Sequence, residues 1–213
     1  MNNNRKIVLP GERISDKKLY LPNTFVEGEE TFAAVIGMLD EEGKYIPLES
    51  RYKPLQEDTL VGIVTDVRHA GYSVDINLSS PAFISSKDFR VELNLGDIVS
   101  CKVGQVYEVG DVDFAEVKKL PPGKVIHYPP AKVPRLIGRK SSMINLIREH
   151  AGGDIIVGNN GYVWISETSN IPLALKTINI IIQKAHMSGL TDEIAQFLKN
   201  QTGESKISAQ TGE

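Results

Sequence analysis

For its first 120 positions the chain alternates short apolar runs with turn residues. Helical spacing appears only beyond residue 140. Ile7, Val8 and Leu9 predict a short strand, closed by the turn pair Pro10-Gly11. Residues 19–28, with Pro22, Asn23 and Gly28, read as loop, and residues 31–39 as a strand. Asp40, Glu41, Glu42 and Gly43 predict a hairpin turn into a returning strand over 44–48. From residue 59 β-branched residues recur with period two, and glycines interrupt them. The runs are 60–67, 72–78, 81–84, 98–103 and 113–120, with turns at Ala70-Gly71 and Gly96-Asp97. Five such strands in so short a span predict a small closed barrel. Pro121, Pro122 and Gly123 mark a junction. Beyond it come a strand over 124–128, a helix over 142–150 closed by Gly152-Gly153, and strands over 154–158 and 162–165 joined by Asn159-Asn160-Gly161. Ile171, Leu175, Ile178, Ile182 and Ala185 then form the stripe of a long amphipathic helix that starts at Asn170 and Pro172. A short last helix carries Leu190, Ile194, Phe197 and Leu198. The chain thus divides into an N-terminal small β domain (1–55), a central β-barrel (56–120), a C-terminal α+β domain (121–200) and a disordered polar tail (201–213).

Composition adds limits. The 213 residues are 41% apolar, enough for one to three compact units. Charge is 24 basic against 27 acidic residues, so any contact with a polyanion must be local. The distribution is uneven: residues 56–120 carry six basic and eleven acidic side chains, and residues 121–200 carry nine and five. Six of those nine basic residues lie between Lys124 and Arg148. The single cysteine, Cys101, excludes an intrachain disulfide and fits a reducing compartment. No apolar run approaches the roughly 18 residues of a membrane span, and the run at 7–9 is too short for a signal peptide. The expected location is the cytoplasm.

The basic footprint centres on Ile137, Gly138, Arg139, Lys140 and Ser141. An apolar residue, a glycine, two cations and then a helix start form a place where a phosphodiester chain can approach backbone amides. Lys132, Arg135, Arg139, Lys140 and Arg148 are the candidate phosphate contacts. No catalytic set accompanies them. His69, His127, His150 and His186 lack ligand spacing, and no Gly-rich run leads into Lys-Ser or Lys-Thr. Cys101 lies in a strand as a small buried residue, and Trp164 fits a core or domain contact. No metal or cofactor is expected, and the chain reads as a non-enzymatic RNA-binding protein.

The order of elements around Gly138 resembles a KH domain, whose Gly-x-x-Gly loop clamps single-stranded nucleic acid. Here the loop reads Gly138-Arg139-Lys140-Ser141. Serine in the fourth position restricts φ where glycine would not. The run Val61-Gly62-Ile63-Val64-Thr65-Asp66-Val67, the hairpin at Gly71-Tyr72-Ser73, and Leu95-Gly96-Asp97-Ile98 resemble the S1-type RNA-binding module, an OB-fold barrel. That resemblance makes Tyr72 and Phe83 candidates for stacking bases, with His69 beside them. The two modules follow the strand ending at Pro10-Gly11 and the step Arg51-Tyr52-x-Pro54. Together they resemble the archaeal exosome RNA-binding cap subunits that carry an N-terminal domain, an S1 domain and a KH domain.

The resemblance implies partners: a hexameric ring of two phosphorolytic RNase-like subunits, with three copies of the cap on one face. The cap would gather single-stranded RNA and guide its 3′ end into the ring without cutting it. A sister cap subunit with a zinc ribbon would need several cysteines, so this chain is not that sister, although the two could share a ring. A rival reading makes the chain mainly a structural assembly clamp for the ring, with incidental RNA contact. Ser141 and the acidic barrel favour that rival.

Overall fold

The computed structural model describes residues 6–21, 23–39, 43–48, 52–107, 110–185, 187 and 189–210, the last nine by backbone alone. Asp40, Glu41 and Glu42 of the expected hairpin turn, Pro22, Arg51 and His186 lie outside the described residues. The chain forms two compact units. One comprises residues 1–51 and 129–131, and the other residues 52–128 and 132–213.

The first unit holds two three-stranded antiparallel sheets. One contains β1 (Lys6–Val8), β5 (Gly37–Leu39) and β6 (Tyr45–Pro47). The other contains β2 (Arg13–Ser15), β3 (Thr24–Glu27) and β4 (Glu30–Ala33). The stretch expected as a loop over 19–28 therefore contains a strand. Phe25 pairs across to Phe32, and their rings stack at 5.5 Å. The single strand expected over 31–39 is two strands in different sheets. Among the described residues, the buried apolar cluster of this unit is only Val8, Ala33 and Tyr45.

In the second unit, β7 (Thr59–Arg68), β8 (Gly71–Asp75), β9 (Ala82–Ser85), β10 (Ile98–Val106) and β11 (Val112–Lys119) form an antiparallel sheet in the order β11-β10-β7-β8-β9. Its edge strands β9 and β11 meet, so the sheet curls into a near-closed OB-type barrel. Leu60, Val64, Val74, Ile76, Ile84, Val99, Cys101 and Val103 fill it. Along β7 the alternation fails, because Leu60, Val61 and Gly62 are buried in succession. A strand loses its alternation when both of its faces are covered.

The cover comes from the α+β part. There β12 (Gly123–His127), β13 (Ile155–Val157) and β14 (Tyr162–Ser166) form an antiparallel sheet in the order β12-β14-β13. On one face lie α1 (Val133–Ile137), α2 (Ser142–Ala151), α3 (Ile171–Lys184) and α4 (Leu190–Gln210). Val163 and Ile165 point into the core that these helices close, with Leu136, Ile147, Ile178 and Ile194. Trp164 alternates to the opposite face, which packs against β7, and is 1% exposed. Its indole lies so close over Gly123 that a Cβ there would sit 2.3 Å from Nε1. The expected start of α3 holds: Asn170 Oδ1 accepts a hydrogen bond from Leu173 N at 3.1 Å, and a proline sits in the first turn. Helix α4 continues to Gln210, across most of the segment expected to be a disordered tail from 201. That segment contains no proline to stop a helix.

The β13–β14 turn locks barrel and α+β sheet together. Asn160 is fully buried. Its Nδ2 donates to Val61 O at 2.7 Å and Ile76 O at 2.8 Å, and its Oδ1 accepts from Val61 N at 3.3 Å. The β7–β8 ladder ends at Ile63 and Asp75. Beyond that point the Asn160 amide takes the place of the missing peptide partner. Asn77 Nδ2 donates to Asn160 O at 2.6 Å, Asn159 Nδ2 to Asp58 Oδ1 at 2.6 Å, and Tyr162 Oη to Asp75 Oδ2 at 2.8 Å.

Candidate nucleic-acid interface

Helix α1 ends at Gly138, whose N–H donates to Pro134 O at 2.9 Å and whose φ is 75°. A side chain there would place Cβ 2.8 Å from both Met143 N and Met143 Cβ, so only glycine lets the loop fold back onto α2. Lys140 (φ 51°) and Ser141 (φ 61°) then follow in the left-handed region. Serine was expected to resist this conformation, yet the loop places it there. Two successive non-glycine residues in that region cost about 1–2 kcal/mol each.

The result is an open helix start. Ser141 is the N-cap of α2, but its side chain makes no capping hydrogen bond, and the first turn contains no acidic residue. Ser142 N–H donates to Arg139 O, and the amides that follow it have no side-chain cap at the positive end of the helix dipole. Arg139 and Lys140 are exposed beside them and take part in no ion pair among the described residues.

The other expected cations are engaged elsewhere. Lys132 Nζ donates to Ile182 O at 3.0 Å, and Arg135 Nη2 donates to Met187 O. Lys132 serves a carbonyl in the last turn of α3, where positive side chains are favoured, and Arg135 serves one just beyond that helix. Arg148 donates through Nε and Nη2 to Ile155 O at 3.0 and 2.5 Å, tying α2 to β13. Gly138, Arg139, Lys140 and Ser141 form one surface. The structure does not bring Lys132, Arg135 and Arg148 to it as free cations.

On the barrel the three candidates also separate. Tyr72 pairs with Ile84 and Phe83 with Ser73 across β8 and β9, so the two rings lie on opposite faces. Tyr72 is half-buried against the barrel core. Phe83 is on the outside, 49% exposed. His69 is exposed in the β7–β8 turn. They do not form one stacking platform. Asn160 was read only as part of a turn. Asn-Gly after a strand is an ordinary hairpin signal, and nothing local shows that the amide faces another module.

Comparison with known proteins fits this architecture. Residues 123–171 match the KH domain family. The exosome complex component Rrp4 of Picrophilus torridus is 33% identical over 218 residues, covering 93% of this chain and 94% of the relative. The chain belongs to the Rrp4 family of exosome complex components. The Rrp4 of Pyrococcus abyssi is also 33% identical, over 95% of this chain and 86% of that one, and the Rrp4 of Methanothermus fervidus is 31% identical. A crystal structure assigned to an exosome complex RNA-binding protein superposes with a TM-score of 0.63 at 27% identity. It covers 74% of this chain and 99% of that one. The expected architecture is thereby borne out: a small N-terminal β domain, an S1-type OB-fold barrel and an α+β KH domain.

Proposed function

We propose that this chain is a non-catalytic, RNA-binding component of an exosome complex, working in the cytoplasm as a cap. It captures single-stranded RNA on the KH loop and guides the 3′ end toward a phosphorolytic ring of two RNase-like subunits. Three copies on one face of that ring would place three loops around one entrance, which raises affinity by multivalency. A mixed cap with the zinc-ribbon sister subunit would alter that number. The observation that carries this reading is the KH loop itself, in a member of the Rrp4 family. It has two cations in no ion pair among the described residues, beside a helix start without a side-chain cap, where phosphate oxygens would find charge and N–H donors together. The barrel's part is lesser, since its candidate aromatic residues face different ways.

The test is charge reversal, with Arg139→Glu and Lys140→Glu in one chain. Two phosphate contacts on single-stranded RNA give a slope of log K against log salt of about −1.4. Reversal should abolish that slope for the isolated chain and slow RNA shortening by the reassembled particle. Unchanged uptake would refute the reading.

One observation favours the second reading, an assembly clamp. The first unit buries very little, yet it exposes Tyr20 at 87%, with Ile7, Leu9 and Phe25 also open. Apolar surface of this kind on a marginal unit suits docking. Were Tyr20→Ser and Phe25→Ser to prevent assembly while RNA binding by the free chain persists, the clamp would be the larger role.

A further inference from the structure

One side of the barrel holds a groove of about 500 Å³ that RNA capture at the KH loop does not use. Its lining includes Tyr52, Pro81, Phe83, Tyr107, Asp111 and Asp113. Two of the rings are open to water, Phe83 at 49% and Tyr107 at 43% exposure. Neither stacks on another ring among the described residues. Tyr107 Oη donates to Asp113 Oδ2 at 2.5 Å, which holds the ring beside that carboxylate. Asp111 and Asp113 are exposed, and neither forms an ion pair among the described residues. No lysine, arginine or histidine is among the lining residues described.

This combination selects a class of ligand. Aromatic faces carry negative potential and attract flat cations, guanidinium above all. The adjacent carboxylates add charge of the same sign and can accept from a guanidinium fork. A phosphate would meet two like charges with no compensating cation among the described lining residues. We infer that the groove docks an arginine-bearing segment of a protein partner, with a guanidinium stacked on Phe83 or Tyr107 and hydrogen-bonded to Asp111 and Asp113. The site is separate from the KH loop and does not depend on the RNA reading. It gives two of the barrel's eleven acidic residues, Asp111 and Asp113, a protein contact.

The experiment uses the full chain, labelled for amide NMR, with two probes. One is a fluorescein-labelled peptide of alternating glycine and arginine, and the other an oligouridylate of about ten nucleotides, near the length a barrel of this type spans. The peptide should move the amides of Ser79, Ser80, Ala82 and Phe83 and of 110–113, and the oligouridylate those of 138–142. Asp111→Asn with Asp113→Asn should weaken the peptide about fivefold by anisotropy, and Phe83→Ala by a similar factor, as expected for partly exposed ion pairs and a cation–π contact. A lysine version of the peptide should bind more weakly than the arginine version. The Arg139→Glu, Lys140→Glu chain should keep peptide binding, which separates failure here from failure of the RNA reading. Two results would overturn the inference: peptide affinity unchanged in both groove variants, or oligouridylate moving the groove amides and displacing the peptide. The second would make the groove an RNA site.

Discussion

Replacing Asn160 with alanine tests how this chain holds its two RNA-binding folds in one body. The side chain is fully buried and serves three backbone groups: Val61 N, Val61 O and Ile76 O. Alanine cannot replace any of these bonds, and the amide it removes is fully buried. The two bonds at 2.7 and 2.8 Å are strong, and the one at 3.3 Å is weak. A net hydrogen bond contributes about 1 kcal/mol, and leaving a buried carbonyl unpaired costs a further 1 kcal/mol or more, so the total is about 3 kcal/mol. With an m-value of about 2 kcal/mol/M, the urea midpoint should fall by about 1.5 M. Circular dichroism reports the KH helices, and fluorescence reports Trp164 at the seam. In the parent chain the two transitions should coincide. In Asn160→Ala the fluorescence change should come first, because the seam opens before the helices melt. A midpoint shift below about 0.5 M, with the two probes still coincident, would refute the claim that this amide joins the modules.

Three further outcomes follow from single sites. Ser141→Gly removes left-handed strain at φ 61° and should raise stability by about 1 kcal/mol in thermal melts, with RNA affinity equal or higher; a loss of stability would mean that Ser141 is not strained. Asp97 is held below the usual carboxylate range first by its hydrogen bond from Lys119 and then by the Asn94 N–H. Its contribution is therefore present above the ordinary carboxylate pKa and lost as pH falls through the folded value. Asp97→Asn should flatten the acid limb of the stability profile by about 0.5 kcal/mol, a small effect because the pair is open to solvent and screened. Burial pushes the Cys101 thiol up to about 12, so at pH 8 it should react with a disulfide reagent about a thousandfold more slowly than free cysteine until the barrel unfolds.

Much of this molecule is determined locally, and the sequence alone shows it. The period-two runs of the barrel, the stripe of α3 with Asn170 and Pro172 at its start, and the glycine-cation loop at 138–141 all follow from steric preference and amphipathic spacing. These act between near neighbours in the chain. The N-terminal strands were less legible. Thr24–Glu27 sits among turn residues, and its place is fixed by pairing with Glu30–Ala33 rather than by its own pattern. The cations were least legible of all. Lys132, Arg135 and Arg148 look the same in sequence as Arg139 and Lys140. Only the fold brings Ile182 O, Met187 O and Ile155 O within reach of the first three and leaves the other two open. Asn160 shows the same limit, since its partners lie 84 to 99 positions away. A side chain's local conformation is set by its neighbours in sequence, but its hydrogen-bond partners are set by whichever distant backbone groups packing leaves unpaired. The sequence therefore determined the modules and their loop, and the tertiary structure decided which charges remain free to bind.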